Sequence, residues 1–304
     1  NHLRNMFKHL SDLRQLVGSS EKPVPKLALA VSQDHFSLNA VHEAYEAGFI
    51  DPVLIGDHEE TFQIIHERGY KFDDVTFIDE PDASKCVEIA VRMVHDGEAH
   101  ILMKGKVSTP VLLKGVLNKE WGLRSGGLLN HIAFFEVPTY HKIIAVTDVA
   151  MNIAPSLRDK ICIVENSVKY LNNLGIEKPK VAVLGAIEMV NESMQATTDA
   201  ALLSKMNQRD QIKNCLIDGP LALDNAVSFE SAHHKNIKSE VAGDTDLLLM
   251  PDIEVGNVLY KSLVFFANAK VASVILGASA PIVLTSRSDT EESKFNSILL
   301  AALA

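Results

Sequence analysis

The chain has 304 residues, 47% of them hydrophobic and 22% charged, enough for one large or two ordinary globular domains. A formal net charge of −10 argues against nucleic acid as a partner, since binding a phosphate backbone needs a surplus of Lys and Arg. No apolar run approaches the ~20 residues that span a bilayer, and the start lacks the apolar core of a signal peptide, so no membrane partner is expected.

The three cysteines, Cys86, Cys162 and Cys215, are scattered and odd in number. That fits neither a disulfide framework nor a zinc site, and it predicts buried, reduced thiols in a cytoplasmic protein. Leu3, Met6, Phe7, Leu10, Leu13 and Leu16 recur at three- and four-residue spacing, predicting an amphipathic N-terminal helix ended by Gly18. From residue 26 short apolar runs alternate with helical patterns. Strands are predicted at 26–31, 53–55, 75–78 and 101–103, with Asp34 and Asp57 as helix caps and Thr109-Pro110 opening a further helix. Four β-α units in succession are the signature of a parallel sheet covered by helices.

The rhythm changes near residue 132. Two apolar runs, 133–137 and 142–147, flank Pro138-Thr139-Tyr140-His141 and read as a hairpin, either a core strand pair or an interface. Alternation then resumes, with helices predicted at 157–173, 193–206 and 257–268 and strands at 180–184, 215–218, 246–250, 271–276 and 281–285. The last strand and the helix from Glu291 resemble the N-terminal units. The chain is therefore expected to form two α/β domains, one from 1–131 with 281–304 and the other from 132–280.

Familiar motifs are absent. Gly122-Leu123-Arg124-Ser125-Gly126-Gly127 does not have dinucleotide-binding spacing, and Gly105-Lys106 is not a phosphate-binding P-loop. His95 and His100 do not share a helical face, and His233-His234 reads as a solvated loop. What remains is a set of small and basic residues at strand ends, where open α/β sheets bind ligands. Lys104 to Thr109 follows one strand and opens a helix, a place for an anion or for plain capping by Ser108. Arg124 lies between glycines that let backbone approach a ligand. Thr285-Ser286-Arg287 ends another strand, where Arg holds phosphate bidentately and Ser adds a donor. Gly256-Asn257 reads as a turn before a helix, bringing backbone close to a neighbour.

Several long blocks carry a resemblance: PDIEVGNVLYKSL, TSRSDTEESK, TDVAMNIAPSL, VAGDTDLLLMPD, AIEMVNESMQATTDA and DGPLALDNAVSFESAHHK. Together they resemble the phosphate acetyltransferase and phosphate butyryltransferase family, over most of the chain from residue 26. The length and the block LMKGKVSTPVLLKGVLNKEWGLR resemble the butyryl branch more than the acetyl branch.

The resemblance implies a two-domain α/β fold like that of isocitrate and isopropylmalate dehydrogenases, with a cleft between the domains. It implies reversible transfer of a short-chain acyl group between CoA and phosphate, giving acyl phosphate, in a homodimer or larger homo-oligomer. Ser286 and Arg287 match the family's Ser-Arg pair, expected to act on phosphate and on the developing oxyanion. Arg124 matches a phosphate-binding Arg, and Lys104 is expected beside it. Gly256, Asn257 and Lys261 are expected at CoA. The acetyl enzymes carry a candidate base, an Asp, seven positions after the Ser. Here Ser293 stands there, leaving Glu292 as the substitute or the base unassigned. No metal or cofactor is expected, CoA being a substrate. Met103, Leu128, Leu129, Phe134 and Met151 are the expected acyl-pocket candidates.

Three alternatives stand beside this reading: acetyl-CoA as main substrate, an NAD-dependent dehydrogenase using Asp244, Asp246 and Asp252 for metal, and a non-catalytic acyl-CoA sensor.

Overall fold

The computed structural model describes residues 7–304. Leu3 and Met6 of the expected N-terminal stripe lie outside them. Within them the helix is shorter than predicted: a 3-10 turn at Leu10–Asp12 leads into α1 (Leu13–Gly18). The Asp12 carboxylate accepts the N–H groups of Lys8 and His9 at 2.9 and 2.8 Å, holding that backbone in a non-helical turn.

The alternation then follows the expected pattern. It runs β1 (Lys26–Ala30), α2 (His35–Glu46), β2 (Asp51–Gly56), α3 (His58–Arg68), β3 (Thr76–Asp79), α4 (Ala83–His95), β4 (Ile101–Lys104) and α5 (Thr109–Val116). Asp34, Asp57, Asp82 and Ser108 cap the four helices, each side chain accepting a first-turn N–H. Next come β5 (Asn130–Glu136), β6 (Ile144–Thr147), α6 (Leu157–Asn173), β7 (Lys180–Leu184), α7 (Gln195–Gln208) and β8 (Leu216–Leu221). Two short helices, α8 (Leu223–Val227) and α9 (Phe229–His234), precede β9 (Leu247–Leu249), α10 (Ile253–Phe265), β10 (Lys270–Leu276), β11 (Ile282–Val283) and α11 (Glu291–Ala302). The exposed His233-His234 pair thus ends a helical turn rather than lying in a loop.

The chain separates into two compact units. One comprises Leu13–Gly127 with Ala272–Ala304; the other comprises the described residues up to Asp12 with Leu128–Val271. The sequence predicts boundaries at 131 and 281 and puts the N-terminal segment with the first domain. The structure instead attaches that segment to β5: the Glu136 carboxylate accepts from the Leu10 N–H at 2.9 Å, and Phe7 packs on Phe134.

In the first unit the strand order is β3-β2-β1-β4-β11-β10. Neighbours from β3 to β11 are parallel, while β10 runs antiparallel to β11. From β1 the chain builds outward to β3, then returns to lay β4 on the other side of β1. The reversal between β1 and β4 is a topological switch point, where open α/β sheets bind ligands.

The second unit has the order β5-β6-β9-β7-β8, with β5 and β6 an antiparallel hairpin and the rest parallel. The hairpin is core: Phe134 and Phe135 are fully buried, Phe135 within a cluster that includes Ile144, Val146 and Leu248. Phe134 and Met103, two of the expected acyl-pocket candidates, are both buried. Asp244 ties three segments together, meeting Lys180 at 2.6 Å, His141 at 2.7 Å and Lys142 at 2.9 Å. Burial opposes its ionisation, but hydrogen bonds from these three partners hold the carboxyl well below the usual range.

Among the described residues, His131 on β5 and Asn225 each bury a side-chain polar atom without a partner. In His131 that atom is Nδ1. Burial pushes the imidazole from 6.5 down to about 4, against the pull of Asp148. The unfolded chain therefore binds this proton more readily than the folded one below pH 6.5. The resulting stability is complete above that pH and is lost as pH falls toward 4, at ~1.4 kcal/mol for each pH unit and by up to about 3 kcal/mol in all. Urea midpoints measured from pH 7 to 4 should fall less steeply in His131→Gln than in wild type; parallel profiles would show that His131 is not the titrating group.

Candidate active site

Because β1, β4 and β11 are parallel neighbours, their carboxyl ends lie side by side. The segments that follow enclose a cavity of about 600 Å³. Its wall is made by Asp34, Phe36 and Ser37 after β1, by Lys104 to Thr109 after β4, by Thr285 to Arg287 after β11, and by Lys294 on α11.

The floor is tightly built. The N–H groups of Gly105 and Lys106 donate to the carbonyls of Ala30 and Val31, each at 2.8 Å. A Cβ on Gly105 would lie 2.1 Å from the Val31 carbonyl oxygen, so only glycine fits there. Val31 itself has φ of 65°, an uncommon conformation for a β-branched residue, enforced by its burial where the strand ends.

The wall is cationic. Lys104 Nζ donates to the Val107 carbonyl at 3.1 Å. Burial pushes its ammonium below the ordinary lysine range; Asp34 works against this and Arg287 adds to it. Two cations are thus held close enough to repel one another. Asp34 balances part of this charge, while its carboxylate also caps α2, accepting from the N–H of Ser37 at 3.0 Å and from the Ser37 hydroxyl. Ser108 both caps α5 and faces the cavity, so the capping and anion readings of this turn are compatible.

The β11 loop is folded by its own side chains. Ser286 N–H donates to Asp289 Oδ2 at 2.7 Å, and the hydroxyls of Ser286 and Ser288 are 2.9 Å apart. Burial raises the Asp289 pKa; the Ser286 N–H and then Lys294 oppose the rise. Asp289 does not cap α11, because Thr290 does. Neither Asp289 nor Glu292 is part of the cavity wall; Glu292 is exposed in the first turn of α11, whereas Asp289 is half-buried beside Ser286.

The structure thus brings together Lys104, Ser286 and Arg287, and adds Lys294. It does not bring in Arg124, which is exposed and forms a bridge with Ala278, flanked by the Ser279 N–H to Leu123 carbonyl bond at 2.8 Å. Gly122 beside it packs on its own turn, a Cβ falling 2.3 Å from the Asn118 carbonyl.

Gly256, Asn257 and Lys261 all lie on α10 in the other unit. The expected turn there is a helix: Asp252 caps it, accepting from Val255 N–H at 3.0 Å, so Gly256 lies inside α10. What the glycine approaches is the chain's own backbone, a Cβ coming within 2.4 Å of the Asp148 carbonyl oxygen. Asn257 Nδ2 donates to the neighbouring Val149 carbonyl at 3.4 Å. The carboxylates of the dehydrogenase alternative are likewise engaged: Asp244 and Asp246 by lysines, and Asp252 by its helix.

This cationic cavity at a switch point can be set beside the proteins the chain resembles. Residues 68–302 match the family described as "Phosphate acetyl/butaryl transferase". The chain belongs to this family. It is 47% identical to the phosphate butyryltransferase of Clostridium acetobutylicum, over 98% of both chains. It is 46% identical to the phosphate acetyltransferase of Thermotoga maritima, over 96% of this chain and 99% of that one. Among solved structures, the branched-chain phosphotransacylase of Enterococcus faecalis superposes with a TM-score of 0.81 at 35% identity, over 92% of this chain and 98% of the other.

Gly105→Ala should destabilise the protein by about 1–3 kcal/mol, since the intruding methyl meets backbone that cannot yield. Gly127→Ala, at a position with open space, should be silent. Equal urea midpoints for the two variants would contradict the tight floor.

Proposed function

We propose that this member of the family is a phosphate acyltransferase, transferring a short-chain acyl group, butyryl foremost, reversibly between CoA and inorganic phosphate. The observation that carries the proposal is the cationic cavity on the ends of β1, β4 and β11, with Ser286-Arg287 on its wall. In one direction a phosphate oxygen attacks the thioester carbonyl and the CoA thiolate leaves; in the other the thiol attacks the acyl phosphate. In both, charge grows on the carbonyl oxygen and on the leaving group. Lys104 and Arg287 hold phosphate, and the Ser286 hydroxyl donates to the oxyanion. Positioning both substrates for direct transfer in one ternary complex lowers the barrier by as much as ~7–11 kcal/mol.

Proton transfer from the thiol is assigned to Asp289 ahead of Glu292. Asp289 is half-buried, shares the loop with Ser286 and has its pKa raised by burial. Arg124, Gly256, Asn257 and Lys261 keep the phosphate and CoA roles that the family resemblance implies, and Leu128, Leu129 and Met151 those of acyl-pocket candidates. The isocitrate and isopropylmalate dehydrogenase-like fold belongs to the same proposal, supported by a chain that leaves its first unit and returns to finish it. A cytoplasmic homo-oligomer is also proposed. No described helix is long and apolar enough to cross a membrane, and Phe265 and Phe266, at 78% and 92% exposure, offer an apolar surface at the end of α10.

Acetyl-CoA as main substrate is the second reading, favoured by the similar identity to an acetyl enzyme. Release of CoA thiol from acetyl-, propionyl-, butyryl- and valeryl-CoA, with and without phosphate, tests both. Phosphate-dependent release fastest with butyryl-CoA is expected; an acetyl optimum would move the protein to the other branch, and no release would leave the sensor.

Arg287→Ala should lower kcat/KM at least 100-fold, on the order of 3 kcal/mol, without loss of fold. Wild-type turnover would remove Arg287 from the mechanism. Asp289→Asn should flatten the acidic limb of the pH–rate profile in the thiol-attack direction while Glu292→Gln leaves it in place; the reverse pattern would restore Glu292 as base.

A further inference from the structure

Lys294 is the one charged side chain of the cavity wall that is almost wholly buried, at 2% exposure. It lies in the first turns of α11, between Ser293 and Phe295, both core residues. Its Nζ rests over the Phe36 ring, 4.4 Å from the centroid. Among the described residues no carboxylate comes within ion-pair distance of it. Asp289, the acid that feels its charge, spends an oxygen on the Ser286 N–H.

A buried ammonium with no counter-ion is an unfavourable arrangement, and proteins normally pair it. The face of an aromatic ring offsets part of the cost, and it leaves the ammonium's N–H donors free for a further acceptor. The remaining charge faces the same cavity as Lys104, Arg287 and the donors of the α5 turn. Lys106, the fourth cation of the wall, is paired with Glu60 at 3.3 Å, and the wall's acid, Asp34, is engaged at the start of α2; the three other cations leave a positive excess that an entering oxyanion balances.

We propose that Lys294 is a phosphate-binding residue, its ammonium held on the Phe36 face to form an ion pair with the inorganic phosphate that is one substrate of the transfer. The proposal rests on the phosphate acyltransferase reading for that phosphate's role, but the binding stands on the geometry alone. CoA also carries phosphates, and the two sources separate kinetically. A group that holds inorganic phosphate moves the KM for phosphate; one that holds CoA moves the KM for acyl-CoA.

The test compares wild type with Lys294→Met, which keeps the bulk of the side chain without its charge. The phosphate KM should rise roughly 10- to 100-fold, the loss expected for one charge-assisted hydrogen bond, while the acyl-CoA KM stays within about twofold. Unfolding in the absence of substrates should begin no lower than in wild type, because an unpaired buried charge has been removed. The rise in unfolding midpoint produced by inorganic phosphate alone should be lost. An unchanged phosphate KM, or a rise confined to acyl-CoA, overturns the proposal. So does a lowered midpoint with both KM values intact, which is the mark of a structural lysine. If Lys294→Met does not fold, Phe36→Leu removes the ring face while leaving the charge, and the same split between the two KM values decides. Absence of phosphate-dependent thiol release in wild type would defeat the transferase reading, and the phosphate-induced rise, measured without acyl-CoA, would still decide Lys294.

Discussion

Lys104, Arg287 and Lys294 converge where three parallel strands end, and no described carboxylate lies within ion-pair distance of any of them. Asp34, the acid that shares their cavity, is committed to the first turn of α2. In a folded protein such an excess of positive charge is costly unless an anion completes it. The strand order supplies the place, because the chain reverses direction between β1 and β4, and open α/β sheets bind ligands at such a switch point. The tight carbonyl contacts of Gly105 then fix how deep that gap is.

Much of this arrangement is legible in the amino-acid sequence. Apolar runs of strand length alternating with capped helices predict the parallel units, and the Asp and Ser caps fall where expected. The likeness of 281–285 to the early strands predicts its return to the first unit, and β11 does pair with β4 through Ile282 and Val283. Ser286 and Arg287 stand out because a basic and a hydroxyl residue directly follow an apolar run.

What escapes sequence reading has physical reasons. Lys294 lies in a helix behind two glutamates, where a lysine reads as solvated; its burial depends on Phe36, far away in the chain. Gly256 reads as a turn because a glycine that meets a ligand and a glycine that meets backbone look alike in sequence. The distinction is the Asp148 carbonyl, which only the folded chain places there. Glu292 comes from an offset to a family position, yet a one-residue offset on a helix turns a side chain by ~100° and can carry it off the wall. Asp289 stands just before α11, which Thr290 caps, and only the folded loop shows it accepting from the Ser286 N–H.

The central claim is that this cationic cavity is where inorganic phosphate binds. A crystal structure of the protein with saturating inorganic phosphate tests it most directly. The expected result is a phosphate within hydrogen-bonding distance of Lys104, Ser286 and Arg287, at the ends of β1, β4 and β11. Phosphate bound elsewhere, with this cavity filled by water alone, would contradict it.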